Sequence, residues 1–122
     1  MFKKFTQSEP GEEGLLAGTS RRIFCGRCDA LITDAERATR IGGRHTHRRT
    51  NPAGFEFPFR CFTEAPGCRP EGSHTFEHTW FPGSAWCYLI CGQCGIHLGW
   101  HFQGTMTFCA LISDRLRYED RR

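Results

Sequence analysis

Cys25-Gly26-Arg27-Cys28 and Cys91-Gly92-Gln93-Cys94-Gly95 repeat one spacing at two distant points of the chain. Two residues between cysteines let both sulfurs reach one ion while the intervening amides turn toward the thiolates. Glycine inside or just after the pair permits the tight turn. Two such pairs supply four thiolates, the donor set of tetrahedral Zn²⁺. With all four positions filled by protein, the expected ion is structural, one per chain, with no open place for water. Free thiols or a disulfide pair are the competing readings. The gap between the pairs is much longer than in a compact zinc ribbon, so the ion would tie the first folded strand to a late hairpin. Closing a long loop costs entropy that grows slowly with length. Zinc binding at thiolate sites, ~10 kcal/mol or more, offsets it.

The segment His78–Phe102 holds all three tryptophans, Trp80, Trp86 and Trp100. Aromatics in strands are usually core. Three features favour an aromatic box instead. The 11 Phe already supply core volume. The indoles sit beside turns, and His78 and Thr79 place hydrogen-bonding groups next to Trp80. A box walled by indoles suits a quaternary ammonium held by cation–π attraction, with Glu77 as its carboxylate. It also suits a neutral ring with a polar edge, met by backbone groups at His78 and Trp80 and by the His78 side chain. Cys61, Cys68, Cys87 and Cys109 lack paired spacing and read as buried or partly buried free thiols. His45 and His47 read as a polar surface pair on a loop.

The elements that must position these groups are short strands. Period-two alternation marks Phe55, Phe57, Phe59 and Cys61 as one face, with Pro58 pointing to an edge strand or a bulge. The same alternation predicts strands through Phe76, His78 and Trp80, through Trp86, Tyr88 and Ile90, and through Ile96, Leu98, Trp100 and Phe102. "TFCALI" is a last strand, and Arg21 to Phe24 a first one leading into Cys25. Only Thr33 to Arg40 suggests a helical turn. The expectation is a mostly β, antiparallel domain over residues 21–118, with a polar mobile tail at 1–20 and a short C-terminal tail at 119–122.

The 122 residues suit one domain, and 39% hydrophobic with 24% charged residues is ordinary globular composition. The net charge of +3 falls short of strongly basic nucleic-acid binders, so no nucleic-acid partner is expected. No stretch approaches the ~18 apolar residues of a membrane span. "MFKKFTQSEPGEEG" has no apolar h-region, so the expected compartment is reducing and cytoplasmic, where clustered cysteines hold metal.

"NPAGFEF", "EHTWFPGSAW", "CGQCGIHLGWHF" and the paired CxxC motifs together resemble the thalidomide-binding CULT domain of cereblon and its single-domain bacterial relatives, over roughly Ile23 to Leu116. The resemblance implies a β-tent fold, two antiparallel sheets meeting at an angle and pinned by zinc on Cys25, Cys28, Cys91 and Cys94. It implies that Trp80, Trp86 and Trp100 form a cage with Phe102 at its base. A glutarimide or similar cyclic imide would enter edge-first. Its N–H would donate to the His78 carbonyl, and its ring carbonyls would accept from the Trp80 amide and the His78 imidazole. Asn51 and Pro52 would border the pocket and Glu77 its rim; Thr79 stands where serine is common. Uridine-like pyrimidines and cyclic imides at modified protein C-termini are further candidate guests. No ubiquitin-ligase docking region is expected, nor any catalysis. The enzymatic alternative is a resemblance to B-type methionine sulfoxide reductases with Cys109 as nucleophile. Its flanks, Thr107-Phe108 and Ala110-Leu111, differ from that family's and offer nothing to lower its pKa. Imide hydrolysis would have His78 alone as its base.

Overall fold

The computed structural model describes residues 21–119. The expected tails, 1–20 and 119–122, lie outside them apart from Glu119, whose carboxylate accepts from the Arg22 guanidinium at 2.7 Å. Among the described residues nine strands follow in order: β1 (Arg22–Cys25), β2 (Leu31–Asp34), β3 (Thr46–Thr50), β4 (Glu56–Phe62), β5 (Cys68–Thr75), β6 (Ser84–Cys91), β7 (His97–Gly104), β8 (Phe108–Ile112) and β9 (Leu116–Tyr118). Two 3₁₀ turns, Ala35–Arg37 and Ser113–Arg115, interrupt them, the first inside the stretch where a helical turn was expected. All the pairings are antiparallel. They build a three-stranded sheet, β2-β1-β9, and a six-stranded sheet, β3-β4-β8-β7-β6-β5.

Both faces of the large sheet are buried along its inner strands, each by a different partner. One face carries Phe62, Leu89, Cys109 and Leu111 and packs against Ile23, Ile32 and Leu116 of the small sheet. The opposite face carries Phe59, Cys61, Trp100, Phe102, Phe108, Ala110 and Ile112, covered by Phe81, Ile41 and Met106 from loops. The cysteine pairs belong to the first cluster and the indoles to the second. Alternation within β7 and β8 therefore sends successive residues into two different cores. That explains the near-continuous burial of these strands.

The strand expectations hold for β1, β4, β6, β7 and β8, with three differences. β4 lies inside the sheet, between β3 and β8, not at its edge. Pro58 pairs with Arg48 of β3, and the β4–β8 ladder begins only at Phe59, so the missing N–H costs no hydrogen bond on that side. The Phe76–Phe81 stretch is a turn-rich loop, not a strand. Side chains there satisfy the backbone locally. Thr79 Oγ1 donates to the Ser84 carbonyl at 2.7 Å and accepts from the Phe81 amide at 3.3 Å, while the Glu77 amide donates to Thr75 Oγ1. Such bonds compete with a ladder. On the side away from β7, β6 pairs with β5, a polar run with exposed Arg69, Pro70 and Glu71 that alternation does not mark. It and β3 form the two edges of the large sheet.

Candidate metal centre and aromatic site

The two cysteine pairs adopt the same backbone turn. In the first, the Cys25 amide donates to the Ala30 carbonyl at 2.8 Å and the Asp29 amide to the Cys25 carbonyl at 2.9 Å. In the second, Cys91 donates to Ile96 and Gly95 to Cys91, both at 2.9 Å. The residue after each pair lies in the left-handed region, Asp29 at φ 65° and Gly95 at φ 78°. The amide of Arg27 points at Cys25 Sγ from 3.4 Å, and those of Gln93 and Cys94 at Cys91 Sγ from 3.4 and 3.5 Å. Gly67 locks the second pair to the small sheet. Its amide donates to Ile32 and its carbonyl accepts from Gly92, both at 2.9 Å. A Cβ there would stand 2.0 Å from the Leu31 carbonyl oxygen, so only glycine fits.

The four sulfurs lie within 4.8 Å of one another. Cys25 Sγ is 3.8 Å from Cys94 Sγ, and Cys28 Sγ 3.6 Å from Cys91 Sγ. Metal–sulfur bonds of ~2.3 Å in a tetrahedron put sulfurs ~3.8 Å apart, so the cluster fits one ion. The electrostatics agree. Burial alone would raise the Cys91 thiol, but the Cys94 and Gln93 amides outweigh it and bring it down to about 7. At Cys28 the Ala30 backbone favours the thiolate, yet burial and the neighbouring sulfurs prevail and push it up to about 11. Four adjacent sulfurs cannot all shed their protons unless a cation replaces them.

The remaining cysteines are poor nucleophiles, each raised by burial. Burial pushes Cys61 and Cys68 up to about 12 and Cys109 up to about 11. Cys109 therefore lacks the thiolate character that a reductase nucleophile needs. His45 and His47 do not form a surface pair. His45 Nδ1 donates to the Thr39 carbonyl at 3.1 Å, and burial lowers its pKa to about 4. His47 stacks on Phe59 and donates from Nε2 to the Ile41 carbonyl at 3.0 Å. Both flank or belong to β3 and hold the preceding loop against the sheet.

The three indoles differ in setting. Trp100 is 6% exposed and is ringed edge-to-face by Trp80, His97, Phe57 and Phe59 at 4.9 to 6.0 Å. It packs as core. Phe102 lies under the cluster, stacked on Phe108 and edge-on to Phe81, both at 5.0 Å. Trp80 stacks on Phe59 and donates from Nε1 to the Thr50 carbonyl at 3.1 Å, which ties it to the end of β3 next to Asn51 and Pro52. Asn51 closes its own loop, its side-chain oxygen accepting from the Phe55 amide. Trp86, cross-strand from Phe102, meets Tyr88 at 5.1 Å and donates from Nε1 to the Glu77 carbonyl at 2.8 Å. Trp80 and Trp86 are only half-buried.

The loop between them carries the polar groups. His78 adopts φ 59°, a conformation uncommon outside glycine and a mark of a constrained site. Its side chain is 61% exposed, 4.0 Å from the Glu77 carboxylate. Thr79 spends its hydroxyl inside the loop, so the side chain acts as a clamp, not as a group free for a guest. A groove of about 520 Å³ lies on another side of Trp80, lined by Ile41, Arg44, Arg49 and Pro82 among others, and by neither Trp86 nor Trp100.

Two antiparallel sheets clamped on a four-cysteine, metal-type cluster define a small β domain whose fold is that of a Yippee-like domain. The solved Yippee-like domain of Mis18 aligns over 85% of this chain and 99% of that one, with a TM-score of 0.59 at 11% identity. In sequence the chain is similar to cereblon from several animals. It is 38% identical to the Gallus gallus protein over 55 residues, 45% of this chain and 12% of that protein. It is 36% identical to the Xenopus tropicalis protein over 52 residues and 40% identical to the Drosophila willistoni protein over 45. The chain thus matches only 12% or less of the length of these cereblons. No protein-family model matches the chain.

Proposed function

We propose that this chain is a non-catalytic binding module that takes a cyclic imide, edge-first, against its indoles, with Zn²⁺ as the ion that fixes the fold. One observation carries the reading: Trp80 and Trp86 stay half-exposed beside the loop in which His78 takes a left-handed backbone, while Trp100 and Phe102 are buried. Trp80 and Trp100 already touch. The guest ring therefore lies between that pair and Trp86, with the His78 backbone and imidazole at its edge. Glu77 stands at the rim, and Asn51 and Pro52 border the Trp80 side. The similarity to cereblon supports the same guest class. Glutarimides, uridine-like pyrimidines and cyclic imides at protein C-termini share one polar edge, an N–H between two carbonyls.

At somewhat under ~1 kcal/mol per heavy atom, a bare glutarimide binds in the micromolar range. An unmet donor or acceptor costs ~1–3 kcal/mol, so the edge discriminates more strongly than it attracts. Tryptophan fluorescence titration tests this. Glutarimide should change the emission with micromolar affinity, and N-methylglutarimide should not bind. Equal affinity for both would refute the edge-first pose. Silence toward glutarimide, uridine and a peptide ending in a cyclic imide would refute the module.

A further inference from the structure

On the sheet face turned away from the indoles, three adjacent strands each contribute one metal-ligand side chain: His74 from β5, Cys87 from β6 and His101 from β7. Cys87 and His101 are direct cross-strand partners. His74 lies where the β5–β6 register shifts, between Glu71 and Thr75, and that irregularity brings it into line with them. The imidazole nitrogen atoms His74 Nε2 and His101 Nδ1 face each other at 2.9 Å. All three donor atoms lie within 4.8 Å of one another. We propose that His74, Cys87 and His101 form a second metal site, for a borderline-soft divalent transition ion of the Zn²⁺ class, separate from the four-cysteine cluster.

The donor set favours this assignment. Two imidazoles and a thiolate suit such ions, and three protein ligands leave a fourth position for water or an outside donor. That is the reverse of the four-cysteine cluster, which fills every position itself. The two nitrogens need little adjustment. Bonds of ~2.0–2.1 Å in a tetrahedron place two ring nitrogens ~3.3 Å apart, so the imidazoles separate by only a few tenths of an ångström. Burial is graded in the way an entry path requires, with Cys87 1% exposed, His101 half-buried and His74 exposed. Without an ion, the N–H of one ring donates to the bare nitrogen of the other at 2.9 Å. With an ion, each nitrogen offers a lone pair and the thiol releases its proton to solvent. This inference is independent of the imide reading.

The test uses untagged full-length chain carrying one equivalent of Zn²⁺, titrated with Co²⁺ at neutral pH. A second ion should bind with a thiolate-to-cobalt charge-transfer band in the near ultraviolet and d–d bands of low-coordinate Co²⁺. No zinc should appear in a colorimetric chelator. Cys87→Ser should abolish the charge-transfer band, and His74→Ala, at an exposed position where folding is safe, should weaken Co²⁺ binding at least tenfold. A stoichiometry limited to one metal per chain would overturn the proposal. So would a band that appears only with matching zinc release, or Co²⁺ binding unchanged in the Cys87→Ser/His74→Ala double variant.

Discussion

Gly95→Ala isolates the backbone cost of one cysteine turn. Gly95 sits at φ 78°, and a Cβ added there meets nothing within 4 Å. No clash contributes, and the hydrogen bond from its N–H to the Cys91 carbonyl is kept. What remains is the left-handed penalty of an L residue, about 1–2 kcal/mol. Asp29 provides the internal standard, since it holds the same conformation in the matching turn at φ 65°. Short polar side chains tolerate this region better than alanine does. Gly95→Asn should therefore cost less than Gly95→Ala. Asp29→Gly should shift stability by under about 1 kcal/mol, because relief of strain offsets the loss of an exposed contact to Arg117. Urea unfolding of the metal-loaded protein measures all three as midpoint shifts at constant slope. A metal-competition titration should show the alanine variant holding its ion about fivefold or more weaker, if the turn forms only in the folded, loaded state. Full stability in Gly95→Ala, or Gly95→Asn worse than Gly95→Ala, would refute the reasoning.

Chelating the ion should unfold the domain, with loss of near-ultraviolet circular dichroism and exposure of the four site thiols to a thiol reagent, since those four residues join the two sheets. A chelator that strips the metal yet leaves the spectrum intact would deny the ion its structural role. His45 should make the fold acid-sensitive. Its pKa falls from 6.5 to about 4 on folding, so the unfolded chain binds more protons between those values and stability drops as pH falls through that window, by at most about 3 kcal/mol. Comparing urea midpoints of wild type and His45→Gln from pH 7 to 4 checks this, and parallel curves would contradict it. Trp86→Phe keeps a ring but deletes the donor to the Glu77 carbonyl. It should lower glutarimide affinity about five- to tenfold, because a net hydrogen bond is worth about 1 kcal/mol and the loop that carries His78 is released. Unchanged affinity by calorimetry would place the guest elsewhere.

The paired cysteines were readable because ligation imposes a fixed local spacing, and the structure gathers all four. Strands with one apolar face were readable for a similar reason: β4, β6 and β7 carry their burial in their alternation. β5 escaped because an edge strand polar on both faces, with Pro70 inside it, has no apolar period to display. The Phe76–Phe81 loop misled because it alternates aromatic and polar residues while Thr75 and Thr79 tie up its backbone, a competition that composition does not reveal. His45 and His47 were misread because their partners are carbonyls of a loop that folds back over the sheet, at Thr39 and Ile41. The His74, Cys87 and His101 cluster left no motif, since its members are joined only by strand pairing and a register shift.

The rims of the large sheet bear on how the molecule behaves when crowded. One rim, β3, shows Arg48 and Arg49; the other, β5, shows Arg69, Pro70 and Glu71. A neighbour approaching to extend the sheet would meet cationic side chains at the first and a position without an N–H at the second. Neither rim is a template for growth. The large sheet is thereby guarded at both ends against extension by a second chain.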